Sequence, residues 1–290
     1  ANGANGGVVL SNLVSAGGES VVIRTNGATV LNGASGVGLG VLDLQTDTLA
    51  INAGMPAGTV RISTFGNSAA RAISVGDDAS LIPGTLNLSN ASLANLLPLG
   101  GGSSLLIGGN AYAGQILIGN ATIGRDVAFV SNGGLVRIAG TGLNGTAGMT
   151  SLSMTAPNLQ IGGAIQGASP FSVAFNGPVN VFGTADIDTN GGAVVFGDAI
   201  NGLNPGSGFL DVNTAGGAIT LREDLGAIGS ARSLARLSLV GSPTLRLTGA
   251  MTTGDQLFQT AGGVITLLDG AAFMAGDGAD ILFANNAAAL

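Results

Sequence analysis

The chain has 290 residues, of which 46% are apolar and only 9% charged, against about 25% charged in an ordinary domain. It has no Cys and no His, and all nine basic residues are Arg, which excludes a disulfide framework, a thiolate metal site and the Ser-His-Asp and Cys-His nucleophiles. The net charge of −7 argues against a nucleic-acid partner, and no run approaches ~18 apolar residues, so no transmembrane helix is expected.

Taken in chain order, the first clear unit is Ile23-Arg24-Thr25-Asn26-Gly27-Ala28-Thr29-Val30-Leu31, a strand, a Gly-containing bend and a second strand. Short alternating pieces follow at Thr48–Ile51, Thr59–Ile62 and Thr85–Leu88. Leu93–Leu97 reads as a single helical turn. Phe129–Ile138 is a fuller strand-bend-strand unit, and Asn158–Ile161 is another isolated strand.

The strongest signal lies in the C-terminal half. Asp186-Ile187-Asp188-Thr189-Asn190-Gly191-Gly192-Ala193-Val194-Val195-Phe196 returns as Asp211–Leu221, 25 residues on, and as Leu257–Leu267, another 46 on. Between these copies Ile228–Leu237 reads as a short helix, and Gly241–Leu247 keeps only the second strand. A strand-turn unit recurring every 20–30 residues marks a solenoid, because each unit has an apolar face that only a neighbouring unit can bury. At about 22 residues per coil the chain makes roughly 13 degenerate coils, a rod on the order of 60 Å long, with insertions in loops between strands.

The 52 Gly and the nine Asn-Gly pairs, at 2–3, 5–6, 26–27, 32–33, 132–133, 144–145, 176–177, 190–191 and 201–202, suit bends with left-handed backbone. One Tyr, no Trp and ten scattered Phe do not supply the aromatic girdles of a transmembrane barrel. Richness in Val, Ile and Leu at strand spacing excludes disorder.

The Asn-Gly-Gly-Ala-Val-Val-Phe and Ala-Gly-Gly-Ala-Ile-Thr-Leu units and the stretch Leu239–Leu247 resemble filamentous-haemagglutinin-type and autotransporter-type bacterial surface proteins. The resemblance covers most of the chain but is one of composition and period. The family's N-terminal secretion signature is missing, since Asn204-Pro205-Gly206 is only a fragment of it and sits too far along. The resemblance implies a right-handed parallel β-helix, export across the bacterial envelope, and adhesion or biofilm roles.

Candidate sites are carboxylates. Asp186 and Asp188 lie two apart in a strand and share a face, and one coil of stacking brings Asp211 beside Asp186. Three carboxylates there could serve a glycosidase or a Ca²⁺ site, although Asn213 and Leu257 break the pattern in the other copies; the plainer reading is a solvated outward face. Asp77-Asp78 follows Gly76 and matches the paired acids of polysaccharide hydrolases, against a plain solvated turn. Ala275–Phe283, with Asp277 and Asp280, nearly fits a Ca²⁺-binding nonapeptide, but one copy does not complete an oxygen shell, and an ordinary turn suffices. Arg222-Glu223-Asp224 and the pair Arg232/Arg236 read as surface ion pairs, the latter two on one helix face. Gly36–Gly40 and Gly100–Gly102 lack the Gly-Lys-Ser/Thr of a phosphate loop. Asn-x-Ser/Thr at Asn87, Asn90, Asn120 and Asn144 is close to chance in an Asn-rich chain.

The expectation is a single solenoid domain over 1–290, without catalytic, cofactor-binding or metal residues. It would be a non-enzymatic, extracellular, bacterial cell-surface rod that is structural or adhesive. The Ala-Asn-Gly start suits a mature protein after signal cleavage, and a cut segment would look the same. Neither end shows an amphipathic capping helix, so the rod either belongs to a longer one or stacks end to end into a filament, with a host or matrix surface as a further partner. Two alternatives stay open: a carboxylate-based polysaccharide-active β-helix, poor in groove aromatics with only Tyr112, and a Ca²⁺-stiffened adhesin stalk.

Overall fold

The computed structural model describes residues 2–3, 6–11, 13–36, 38–78, 86–222 and 226–285. It is a parallel β-solenoid of about 12 turns, close to the 13 expected. Each turn lays one strand on each wall, and between the ends of a sheet each strand hydrogen-bonds to the equivalent strands one coil below and one coil above. One wall is a ten-stranded parallel sheet that begins at Asn2–Gly3 and ends at Ile219–Leu221. The opposite side is a thirteen-stranded sheet that runs to Ile281–Asn285, with a branch of Asn158–Ile161, Val179–Val181 and Ile200–Gly202 stacked on the first half of Leu135–Gly145. Two small sheets complete the N-terminal coils.

The predicted pieces fall where the sequence puts them. Thr48–Ile51 and Asn158–Ile161 are strands with those bounds, and Phe129–Ile138 spans a strand, a bend and a strand. Thr59–Ile62 lies within the strand Ala57–Ser63, and of Thr85–Leu88 the described part, Leu86–Leu88, is a strand. Alternation sends one side chain of each pair inward. In Thr184–Asp188, Ala185 and Ile187 are buried while Asp186 and Asp188 face outward. Inward residues then stack coil on coil, as in the row Phe129, Met154, Phe175 and Phe196, all buried. The Phe175 and Phe196 rings stack at 5.0 Å.

The repeats are registered as the sequence implies. Asp186 pairs with Asp211, and Leu257 stands two coils beyond Asp211 with Ser238 between them. The two steps are uneven, 27 residues from Asp211 to Ser238 and 19 from Ser238 to Leu257. Gly241–Leu247 supplies the missing second strand, Thr244–Leu247 lying against Val264–Leu267.

Three expectations fail. Ile228–Leu237 is not a helix: Ile228 and Leu234 form isolated parallel bridges to Ala250 and Thr252, and Arg236 opens the strand Arg236–Met251. Apolar residues 228 and 234 point into the core here because a wall needs them there, and wall pairing overrides local helix propensity. The helix in the preceding half is Asn90–Ala94, capped by Ser89, rather than a turn at Leu93–Leu97. Of the asparagines in the described Asn-Gly pairs, only Asn190 takes a positive φ, at 49°.

The largest insertion folds back. Leu86–Leu88 pairs with the earlier strand Ile73–Val75, on the side away from Ile116–Ile123. The segment after it docks on the previous coil, through Asn95 Nδ2 on the Ile51 carbonyl at 2.7 Å and Met55 N on the Asn95 carbonyl at 2.7 Å. Arg125, buried in the core, donates Nη2 to the carbonyls of Ala57 at 2.6 Å and Leu97 at 3.0 Å, joining the insertion to the coil it covers.

Bends repeat a single device. Thr189 and Thr214 are fully buried, and each donates its Oγ1 to the carbonyl of the second bend glycine, Gly192 and Gly217, at 2.6 Å. The two central residues have positive φ, 49° and 106° at Asn190-Gly191 and 47° and 108° at Ala215-Gly216, the type I′ pattern. A Cβ on Gly217 would meet the Gly192 carbonyl oxygen at 2.1 Å, so this position is closed to any side chain. Ala215 carries the strain that Asn190 tolerates. Ala215→Asn should therefore stabilise the chain by about 0.5–1 kcal/mol, and Gly217→Ala should destabilise it severely. Equilibrium denaturation measures both, and equal midpoints for Gly217→Ala and wild type would contradict the bend geometry.

Candidate functional site

The outward carboxylates are spread along the rod and are engaged in the scaffold. Asp186 lies one coil step from Asp211, as expected, and accepts from Gln166 Nε2 at 3.2 Å. Asp211 forms a salt bridge with Arg236 of the next coil, and the Arg236 guanidinium lies 5.5 Å from the centre of the Phe209 ring. Asp188 caps its own bend by accepting from Asn190 N at 3.0 Å. Asn213, its counterpart, does the same for Ala215 N at 3.1 Å. That role needs an acceptor and no charge, which explains why Asp and Asn exchange there. The three acids share a surface but work as a ladder, an ion pair and a cap. No group of three acidic side chains is placed to hold a metal ion among the described residues.

Asp77 and Asp78 also divide. Asp77 Oδ1 accepts from Asn90 N at 2.9 Å, at the start of the helix Asn90–Ala94, where a negative charge meets the unpaired amides. Asp78 packs against Gly119 and Gly140, at both of which a Cβ would collide with its carboxylate. The pair lies on an open cleft of about 580 Å³ shared with Asn52, Asn87 and Ser89. In the nonapeptide-like segment, Gly276–Ala279 is a tight turn, and Asp280 N donates to Asp255 Oδ1 at 3.0 Å. Asp126 caps the next coil similarly, accepting from Thr150 N at 2.7 Å and Ser151 N at 2.8 Å. Each Asp reaches one coil upward to backbone donors at the start of a strand.

The expected arginine helix face dissolves with the helix. Arg236 pairs with Asp211, while Arg232 is half-buried and turns the other way, Nε donating to the Gly202 carbonyl at 2.8 Å and Nη2 to Asn180 Oδ1. Arg222 reaches the Gly197 carbonyl, and Glu223 and Asp224 lie outside the described residues. The glycines at 38 and 102 lead into strands rather than helices, so neither stretch has the helix start that a phosphate loop requires. Asn90 is committed to the scaffold, donating to the Asn120 carbonyl at 2.7 Å and accepting from Thr122 N at 2.8 Å.

Tyr112 lines no groove. It is fully buried, with its hydroxyl on the carbonyls of Arg71 at 2.7 Å and Gln115 at 2.8 Å. Burial pushes its phenol above the ordinary value. Sequence reading missed one arrangement, in which Arg137 lies 4.2 Å from the centre of the Phe182 ring on the same face as Gln160, Asn180 and Arg232. Only the registers Arg137 to Gln160 and Gln160 to Asn180 reveal it, and the spacing of these residues carries no periodic signal.

The chain matches no protein-family profile, no curated protein and no solved structure. No helix among the described residues is long and apolar enough to cross a membrane.

The Tyr112 environment sets an alkaline limit. Without Lys, His or Cys, Tyr112 is the one side chain whose ordinary pKa lies between pH 6 and 12. Its folded-state pKa is raised, so its contribution is complete below the unfolded value of about 10 and is lost as the pH rises through the folded value. The melting temperature should fall above about pH 10, and Tyr112→Phe should flatten that fall while costing about 1–2 kcal/mol at neutral pH. Scanning calorimetry from pH 7 to 12 checks this, and identical alkaline limbs for the two proteins would refute it.

Proposed function

We propose that this chain is a structural and adhesive rod of an exported bacterial surface protein, extended by stacking a further coil on its C-terminal face. One observation carries the reading. Inward wall positions that are buried in the covered coils are open in the last described one. Leu247 is 1% exposed, and its registered neighbour Leu267 is 52% exposed. Phe258 is 0% exposed, and Phe283 above it is 41% exposed. Ile281 and Leu282 add to the same end, and among the described residues the strand Ile281–Asn285 pairs only with the strand below it. Such a face has unpaired backbone donors and acceptors beside an apolar row, which is what one coil of this rod offers the next.

The outward surface supports the structural part. Its carboxylates are used to hold coils together, and low charge with small side chains gives a long, even face. The surface-protein and adhesion parts rest on the family resemblance of the Gly-Gly repeat units.

The purified chain should form elongated, concentration-dependent assemblies in sedimentation and electron microscopy. Leu267→Glu/Phe283→Glu, which charges the open face, should leave single rods with an unchanged β spectrum. Compact monomers at every concentration, or assemblies indifferent to the double substitution, would count against it.

A further inference from the structure

We infer that the outer face centred on the strand Val179–Val181 is a binding site for a carboxylate-bearing polysaccharide, with Arg137 and Arg232 holding two of its carboxylates. This goes beyond rod extension and does not depend on it.

The face is built from four consecutive coils. Arg137 pairs in register with Gln160, Gln160 with Asn180, and Asn180 with Asn201; the first three stand on one outward row, and Asn201 is buried beneath the next segment, accepting from Ala231 N and Arg232 N. Phe182, two residues beyond Asn180, lies on the same side. It lies over Gly162, where a Cβ would come within 2.3 Å of the Phe182 carbonyl oxygen and 2.5 Å of its ring, so glycine is required there. The Arg137 guanidinium reaches across to lie 4.2 Å from the centre of that ring. From the other side, Arg232 comes over the bridge-forming segment that follows Ile200–Gly202, anchors Nε on the Gly202 carbonyl at 2.8 Å, and touches Asn180. Two guanidinium groups therefore converge from opposite edges, on Asn180 within the strand and on Phe182 just past its end.

Charge sets the ligand. The chain is acidic overall at −7, yet neither Arg137 nor Arg232 is ion-paired among the described residues. Arg137 Nε is buried without a hydrogen-bond partner. Arg236, on the neighbouring wall, shows the alternative, a cation neutralised by Asp211. The Phe182 ring holds Arg137, and Gly202 and Asn180 hold Arg232 through Nε and Nη2, which leaves its Nη1 to meet a ligand, so little rotamer entropy remains to be lost when a carboxylate docks. The two groups approach different residues from opposite sides, so one small anion does not satisfy both, and an extended polyanion does. Gln160 stands beside them in the same row, and its amide both donates and accepts, which suits sugar hydroxyls, while Asn180 is held by Asn158 Oδ1 at 3.2 Å and by Arg232. An acidic peptide would need an open strand edge or an apolar groove. This wall has neither, because Ile200–Gly202 is covered by the segment bearing Arg232, through Gly202 N on the Arg232 carbonyl at 2.8 Å.

Calorimetric titration with an oligogalacturonate tests the site, with its methyl-esterified form and poly-glutamate as controls. The oligogalacturonate should bind with an affinity that falls as salt is raised, and both controls should bind at least about tenfold more weakly. Arg137→Gln should weaken binding about tenfold, and Arg137→Lys should recover only part of it, because the fork is lost while the charge is kept. Arg232→Gln should act similarly, and Arg24→Gln, elsewhere on the rod, should change nothing. Should Arg232→Gln fail to fold, the Arg137 pair of variants decides alone. No binding, binding unchanged by Arg137→Gln, or equal binding of the esterified oligomer or of poly-glutamate would overturn the assignment.

Discussion

The structure depends on backbone hydrogen bonds that run between coils rather than within them. A strand of three to six residues has no stability alone, and here each one is satisfied only by the equivalent strands below and above. Register is consequently the controlling variable. A slip of one residue would turn every inward Leu, Ile, Val and Phe outward and put Asp186 or Arg137 in the core. Buried hydroxyls at the corners help to fix it. Thr25, Ser131, Thr189 and Thr214 are all buried where a wall ends, and each donates to a carbonyl of the neighbouring coil or of its own bend. An apolar residue there would leave that carbonyl unpaired, and a charged one would be costly to bury.

The same constraint explains the distribution of acids. A solenoid of 290 residues with 16 acidic side chains can place few of them inward, and each coil starts with backbone amides in need of an acceptor. Asp126, Asp188 and Asp255 meet that need in their bends and at coil starts. Carboxylates so placed cluster in sequence and share faces, which is the pattern that a catalytic or Ca²⁺ site would also show. Geometry separates the two cases, because Asp211 has its own arginine and Asp77 caps a helix.

The sequence carries the fold in its C-terminal half because the Thr-x-Gly-Gly bend demands particular residues. Positive φ at two positions and closed space at a third leave little freedom, so Asn190-Gly191-Gly192 and Ala215-Gly216-Gly217 stay recognisable. In the third copy the bend is absorbed into the long strand Gln256–Met274 as a register irregularity opposite Ser242 and Thr244, and only the motif survives. Coil lengths are free to vary, so the back-folded insertion around Leu86–Leu88 left no periodic trace. Nor did the segment 228–234, whose Ile and Leu spacing imitates a helix while serving a wall. The arginine face was hidden for the same reason: Arg137 meets Phe182 and Arg232 meets Asn180 through coil stacking, and no local pattern records a contact between residues 52 positions apart.

Register can be measured directly, because the chain contains no Cys and pairs of cysteines can be introduced for spin labels. Arg61, Ala128, Ala174 and Thr220 occupy one outward row, each successive pair separated by two coils. Pulsed electron resonance between a label at 61 and labels at 128, 174 and 220 should give distances rising in equal increments of about 10 Å, to about 29 Å at the last. Distances that fail to grow linearly along that row would contradict the stacked, in-register coil.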